Sequence, residues 1–259
     1  MPTYEHSGWH ILLVAFLVCL VCGVVVSATA VALRPMQQEN RLRFRQVNIL
    51  QAADLYRPGM EMQAAFERIE RRFVELETGK QVAMPPEYDP WRAVRDPELS
   101  RPLEEDPAHI RRVPRVAEVW LIQDEAGRLQ RVVLPVRGLG AWSIMSGFIA
   151  LEPDLNTIAG IRFYDHGETP GLGGEIEKPR WQRNWVGKKL FDESGAVAIE
   201  VVKGGAARDD PAFVHRVDAI SGASITSRGV HNLVRFWVGE AGYGPCLARL
   251  REEYRNSAR

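Results

Sequence analysis

Positions 11–33 hold no charged residue and are mostly Leu, Val, Ala and Phe. At about 1.5 Å of rise per residue, a helix over this run is about 34 Å long and crosses a hydrocarbon core of ~30 Å. The pattern predicts a transmembrane helix over 11–33 behind a short tail, 1–10, with Pro35 ending the span. Residues 37–55 are polar and helix-compatible, so 34–59 reads as a stalk. In 60–76, Ala65, Phe66, Ile69, Phe73 and Leu76 share one helical face and predict a second helix. Residues 85–114 carry seven prolines among many charges, which reads as an irregular, solvated excursion.

Beyond Val116 the apolar positions change period. Residues 116–122 and 129–134 predict two strands joined by a turn at 124–127. Pro135 is expected to close the second strand, since it cannot donate to a ladder. An apolar segment, 144–151, follows the loop 138–143, and a strand over 158–164 is entered through the turn Asp154-Leu155-Asn156. Two shorter segments follow, 185–188 and 196–202, the latter a β-rich run before Gly204 and Gly205. Val230, Leu233, Val234 and Trp237 fall at helical spacing and predict an amphipathic helix over 227–238. A polar helix closes the chain from Pro245 to about Asn256. Strands interleaved with helices predict an α+β domain over 60–259, with a partly antiparallel sheet and helices at one side.

Composition removes several function classes. Lys and Arg together number 33, as do Asp and Glu, and the net charge is zero. With no basic cluster interleaved with aromatics, a nucleic-acid partner is not expected. Three cysteines are too few for a disulfide framework. Cys19 and Cys22 lie in the apolar run as small hydrophobes, and Cys246 stands alone. His6, His10, His109, His166, His215 and His231 show no metal-ligand spacing. A signal peptide competes with a retained anchor, because 27–30 offers small residues to a peptidase. Against it, 1–10 contains no Lys or Arg and the apolar run exceeds the usual ~7–15 residues, so the anchor is favoured. Arg34, Arg41, Arg43 and Arg45 follow the span, a bias that would put the C-terminal part in the cytoplasm.

Candidate chemistry concentrates in two stretches. Residues 218–226 read Asp-Ala-Ile-Ser-Gly-Ala-Ser-Ile-Thr and lead into the amphipathic helix. Hydroxyls there serve either as helix caps or as neighbours of a phosphate seated on the free N–H groups of a helix N-terminus. Residues 166–174 hold four glycines and a proline, which suits either a ligand-approaching loop or a plain surface turn. No dinucleotide fingerprint follows a strand, so no NADH site is read here. A hydrolase with Ser221 or Ser224 as nucleophile, aided by His231 and Asp218, is a rival. However, 222–226 lacks the last glycine of a Gly-x-Ser-x-Gly elbow.

Taken together, Leu33-Arg34-Pro35, 46–50, the Gly138-to-Ser143 loop, the His166-to-Gly174 loop and 218–226 resemble the NqrC family of the sodium-translocating NADH:quinone reductase. The G subunit of Rnf-type electron-transport complexes shares the anchor and flavin motif, and a membrane-anchored FMN-binding sensor domain is a further alternative. The stalk and 60–114 favour the reductase family. The resemblance implies a single-pass anchor in a bacterial inner membrane, followed by an FMN-binding part at about 114–259. It implies FMN esterified to a hydroxyl by a separate flavin transferase, with Asp218 recognised by that enzyme and Ser221, Gly222 and Ala223 shaping the turn. The family's acceptor is the threonine of Ser-Gly-Ala-Thr. Here Ser224 stands at that position, and Thr226 is the fallback acceptor. The flavin ring is expected near Glu168, Thr169, Leu172, Gly173 and Trp142. Electrons are expected to pass between other subunits of the complex, and sodium pumping belongs to the whole assembly. The family places the soluble domain in the periplasm, against the charge bias, and the resemblance is preferred.

Overall fold

The computed structural model describes residues 8–205, 207 and 209–257. Most of the predicted tail, residues 1–7, lies outside the described residues. The chain divides into two compact units after Gln46. A first helix, α1 (Gly8–Ala52), runs without a break through Pro35 and the segment read as a stalk. Pro35 removes one backbone hydrogen bond without ending the helix, as a single proline in a long helix can do. Among the described residues α1 is the helix long and apolar enough to cross a membrane. Its Ile11, Leu12, Phe16 and Val24 side chains stand exposed, as lipid-facing groups would.

The second unit begins inside the predicted stalk, at Val47. Asn48, Ile49, Leu50 and Ala52 in the last turn of α1 are buried in it. Next come α2 (Met62–Glu67), β1 (Ile69–Glu75), β2 (Gln81–Val82), α3 (Pro90–Ala93), β3 (Ser100–Pro102) and β4 (Arg112–Pro114). A meander follows: β5 (Val116–Gln123), β6 (Leu129–Leu139), β7 (Ile144–Leu151) and β8 (Ile158–Asp165). The chain ends with α4 (Pro179–Gln182), β9 (Glu200–Val202), β10 (Arg216–Asp218), α5 (Ser224–Val238) and α6 (Gly244–Ser257). The main sheet has the order β2-β1-β5-β6-β7-β8. Every neighbouring pair in it is antiparallel, and among the described residues parallel pairing is confined to the small β9–β10 ribbon.

Helices lie on both faces of the sheet rather than one. Side chains alternate across a strand, and β5 is apolar on both sides. Val119 and Leu121 join the core that includes Val230, Leu233 and Trp237 of α5, together with Leu247 of α6. Trp120 and Ile122 face the other way, onto Ile49 and Ala52 at the end of α1, Ala53 just after it and Phe66 of α2. A sheet with two apolar faces needs two covers.

Other sequence expectations give way for identifiable reasons. The helix expected over 60–76 is the short α2 followed by strand β1, because residues 69–75 pair with β5 from Ile69↔Ile122 to Glu75↔Val116. Cross-strand packing outweighs local period there. The Arg71 guanidinium lies 4.4 Å from the centre of the Phe73 ring on the same face. The proline-rich stretch is partly core: it forms the β3–β4 hairpin, buries Ala108 and Val113, and sets Trp91 edge-on to Trp237 at 5.5 Å. Pro135 lies within β6 opposite Phe148 of β7. The ladder from β6 to β5 has already ended at Val133, so no partner misses the absent N–H. Trp185 closes a 3-10 turn (Arg183–Trp185), and the run at 196–202 contributes β9 and an isolated antiparallel bridge from Val197 to Phe191.

Cys246, in the first turn of α6, is 2% exposed, and burial pushes its thiol up to about 12. Thiolate is the reactive form. Native protein is therefore expected to leave Cys246 unmodified by a thiol reagent at pH 8 and to react fully after denaturation, as read by mass on the peptide.

Candidate functional site

The site is organised by the N-terminal end of α5. Val230, Leu233, Val234 and Trp237 are all at most 1% exposed, which fixes the helix against the sheet. Trp237 Nε1 also donates to the carbonyl of Arg137 in β6 at 2.7 Å. Close approach is possible because Gly138 faces the helix: a Cβ there would lie 2.5 Å from Leu233 Cβ.

The helix begins at Ser224, three residues before the predicted start, so the hydroxyl-rich stretch forms its first turn. The capping role expected of these hydroxyls is not taken up. Ala223 is the N-cap, no side chain caps the helix, and no acidic residue lies in its first turn. The turn before it is held by other means. Ala219 N donates to Val202 O at 2.9 Å, Trp181 Nε1 to Asp218 O at 2.9 Å, and Ile220 N to Ser227 Oγ at 3.0 Å. Gly222 takes a φ of 78°, a left-handed conformation that glycine adopts without strain.

Ser224 and Thr226 have opposite surroundings. Ser224 is exposed, as is Ile225. Thr226 is 2% exposed, and its Oγ1 donates to Glu168 Oε2 in a short hydrogen bond. Glu168 is itself 5% exposed, and its Oε1 accepts from Ala141 N at 2.9 Å and Trp142 N at 3.1 Å. One carboxylate therefore joins the 138–143 loop, the 166–174 loop and the first turn of α5. Gly173 leaves room for it, since a Cβ there would sit 2.6 Å from Glu168 Oε2.

Around this anchor the predicted neighbours come together unequally. Leu172 projects over Gly222, where a Cβ would meet Leu172 Cδ2 at 3.2 Å, and remains 46% exposed. Trp142 reaches Glu168 only through its backbone, and its indole is 77% exposed. Thr169 contributes its carbonyl, which accepts from Leu172 N at 3.1 Å and Gly174 N at 2.9 Å, closing the loop. Asp218 and Ser221 line, with Ser224, a cleft of about 760 Å³.

The sequence reading did not single out this cleft. Ser224, Ser227, Arg228 and His231 line it from one face of α5, with Lys203 and Asp218 across from them. Arg228 was open to detection, because it lies four residues after Ser224 and so one helical turn away. Lys203 carries no local signal. His231 Nδ1 accepts the Val201 N–H at 3.1 Å, and burial, with Arg235 nearby, holds its pKa below the ordinary value despite Glu200. His231 is two helical turns from Ser224, ~10 Å along the axis, and its Nδ1 is committed to the backbone. His231 therefore does not pair with Ser224 and Asp218 as a hydrolase triad would require.

Residues 140–239 match the model of the FMN-binding domain family. The C subunit of the Na(+)-translocating NADH-quinone reductase of Yersinia pestis is 48% identical over 258 residues, covering 97% of this chain and 96% of that protein. Its counterpart from Pseudomonas aeruginosa is 46% identical over 256 residues, covering 96% and 98%. In fold the chain is similar to the crystal structure of Shewanella oneidensis NqrC. The TM-score is 0.75 at 38% identity, covering 80% of this chain and 96% of that one.

Proposed function

This chain belongs to the NqrC family of Na+-translocating NADH-quinone reductases, and from that membership we propose that it carries electrons through an FMN joined to Ser224 by a phosphoester. The relatives are named as subunits of an oxidoreductase complex, and the FMN-binding domain covers the whole of α5, the 166–174 loop and the 138–143 loop from Gly140 onward. Alignment across 97% of the chain, anchor included, supports the reductase over an Rnf-type complex or a free-standing sensor.

The observation that carries the attachment site is the contrast between two hydroxyls. Ser224 is solvent-exposed in the first turn of an uncapped helix, whereas the Thr226 hydroxyl is buried on Glu168. The residues present suit a flavin phosphate. An uncapped N-terminus offers backbone N–H groups and the positive end of the helix dipole. Leu172 and Trp142 offer exposed apolar surface for a flat aromatic ring, with Glu168 fixing the loops that carry them. Asp218, Ser221, Gly222 and Ala223 form the turn that a flavin transferase would read. FMN would supply the redox chemistry, while the chain supplies position and electrostatics.

The partners are the other subunits of the reductase, with the transferase acting once during maturation. Electrons would arrive from a partner's iron–sulfur centre and leave to another subunit's flavin. The anchor would sit in the bacterial inner membrane with the flavin domain in the periplasm.

The test uses the full chain, produced with its transferase and partner subunits. A band that fluoresces on a denaturing gel, with FMN mapped to the Ser224 peptide by mass spectrometry, is the expected result. A non-fluorescent band of unmodified mass would overturn the proposal.

A further inference from the structure

Three features leave the beginning of α5 with unbalanced positive charge. Its N-cap is Ala223, its first turn holds no acidic residue, and Arg228 stands in its second turn. A cation near a helix N-terminus opposes the helix dipole, so the fold alone gains nothing from Arg228 there. Arg228 and Lys203 are both exposed and both line the 760 Å³ cleft beside Ser224. Neither forms an ion pair among the described residues. Ser227, 4% exposed, lines the same cleft, and its Oγ accepts the Ile220 N–H, leaving its own O–H proton to donate. Asp218 is the carboxylate among the described lining residues. His231 adds no charge while its Nδ1 accepts from Val201.

We infer that Arg228 and Lys203 form a cationic clamp for the phosphate on Ser224. The inference rests on the attachment proposed above and adds the residues that hold the group. A phosphodiester carries a single negative charge, which the two cations complement. The cleft exceeds a phosphate in size, leaving room for the hydroxylated chain attached to it, beside Asp218 and Ser221. In the transfer, the Ser224 Oγ forms a bond to the flavin-side phosphorus of FAD and the bond from that phosphorus to the adenylate oxygen breaks. AMP leaves, the serine proton goes to solvent or a base of the transferase, and nothing is oxidised or reduced. Charge builds on the phosphorus oxygens in that step, and fixed cations beside them lower its barrier.

The test takes full-length chain made without transferase, then adds purified transferase and saturating FAD and follows flavin incorporation by intact mass. Arg228→Gln combined with Lys203→Gln is expected to slow incorporation at least about tenfold, less than the ~10²–10³ lost with a buried oxyanion donor because both side chains are exposed. Arg228→Lys should recover most of the rate. Arg180→Gln, an exposed charge outside the cleft, should match wild type. Phosphorus NMR of the finished product should show a shifted resonance in Arg228→Gln but not in Arg180→Gln. Both cleft side chains are exposed, and circular dichroism checks folding. Should the double variant fail to fold, Lys203→Gln and Arg228→Gln, made singly, carry the comparison. Equal rates in wild type and the Gln variants of the cleft, or equal slowing in Arg180→Gln, would remove the clamp. If wild type itself takes up no flavin, the attachment fails; if it is modified on Ser224 and the variants keep pace, only the clamp does.

Discussion

Ser224→Ala is expected to reduce covalent flavin to background on a denaturing gel, with no loss of folded protein. Ser224 is exposed and makes no hydrogen bond among the described residues that the helix depends on. Alanine is also the better helix former, so stability should hold or rise slightly. Ser224→Thr should keep the flavin, because the added methyl group projects into solvent and the hydroxyl remains. Thr226→Val is the complementary variant. It should keep the flavin on Ser224 yet destabilise the domain by about 1–3 kcal/mol, since Glu168 Oε2 loses its buried donor. The two effects therefore separate: chemistry follows position 224 and stability follows position 226. Flavin retained in Ser224→Ala and lost in Thr226→Val would assign the acceptor the other way round. These measurements need only gel fluorescence and thermal unfolding of the same preparations.

How far the sequence foretells this site depends on whether the forces involved are local. α5 was legible because Val230, Leu233, Val234 and Trp237 all turn to one face and all become core. Its first turn was misplaced by three residues because Ser and Thr ordinarily cap helices, whereas here Ala223 holds that position. β1 was not legible: Phe66, Ile69 and Phe73 mimic a helical face, and only pairing with β5, over forty residues away, makes a strand of 69–75. Pro135 was misread by applying a rule for doubly paired strands at a place where one ladder has ended. The anchor helix was legible from composition and the next segment from its helix-compatible pattern, but not their joining through Pro35, nor the burial of Ile49 and Ala52 against the far sheet face, which has no signature in a polar segment. Glu168 was picked out as a ring neighbour from its loop. Its bond to Thr226 spans 58 positions and could not be read from either stretch alone.

That bond underlies the second large effect. Glu168→Ala is expected to destabilise the soluble unit by about 3 kcal/mol or more, because it takes the acceptor from donors on several segments at once. Ala141 N, Trp142 N and the Thr226 hydroxyl all donate to this one side chain; the buried hydroxyl left unsatisfied costs ~1–3 kcal/mol, and each of the two part-buried loop bonds adds ~0.5–1.5 kcal/mol. For a domain of this size such a loss lowers the unfolding midpoint by roughly 6–12 °C. Glu168→Gln should cost far less. Its amide oxygen can still accept from the two loop N–H groups, and its amide nitrogen can donate to the Thr226 oxygen once that hydroxyl turns. The pair Glu168→Ala and Thr226→Val should be strongly non-additive, since Thr226 has nothing left to lose when the carboxylate is gone. Additive losses in the double variant would mean that the two residues act separately. Flavin attachment should fall in Glu168→Ala even below its melting temperature, because the loops bearing Leu172 and Trp142 are no longer tied to the turn that presents Ser224. In Glu168→Gln, which keeps the tie, attachment should stay near the wild-type level.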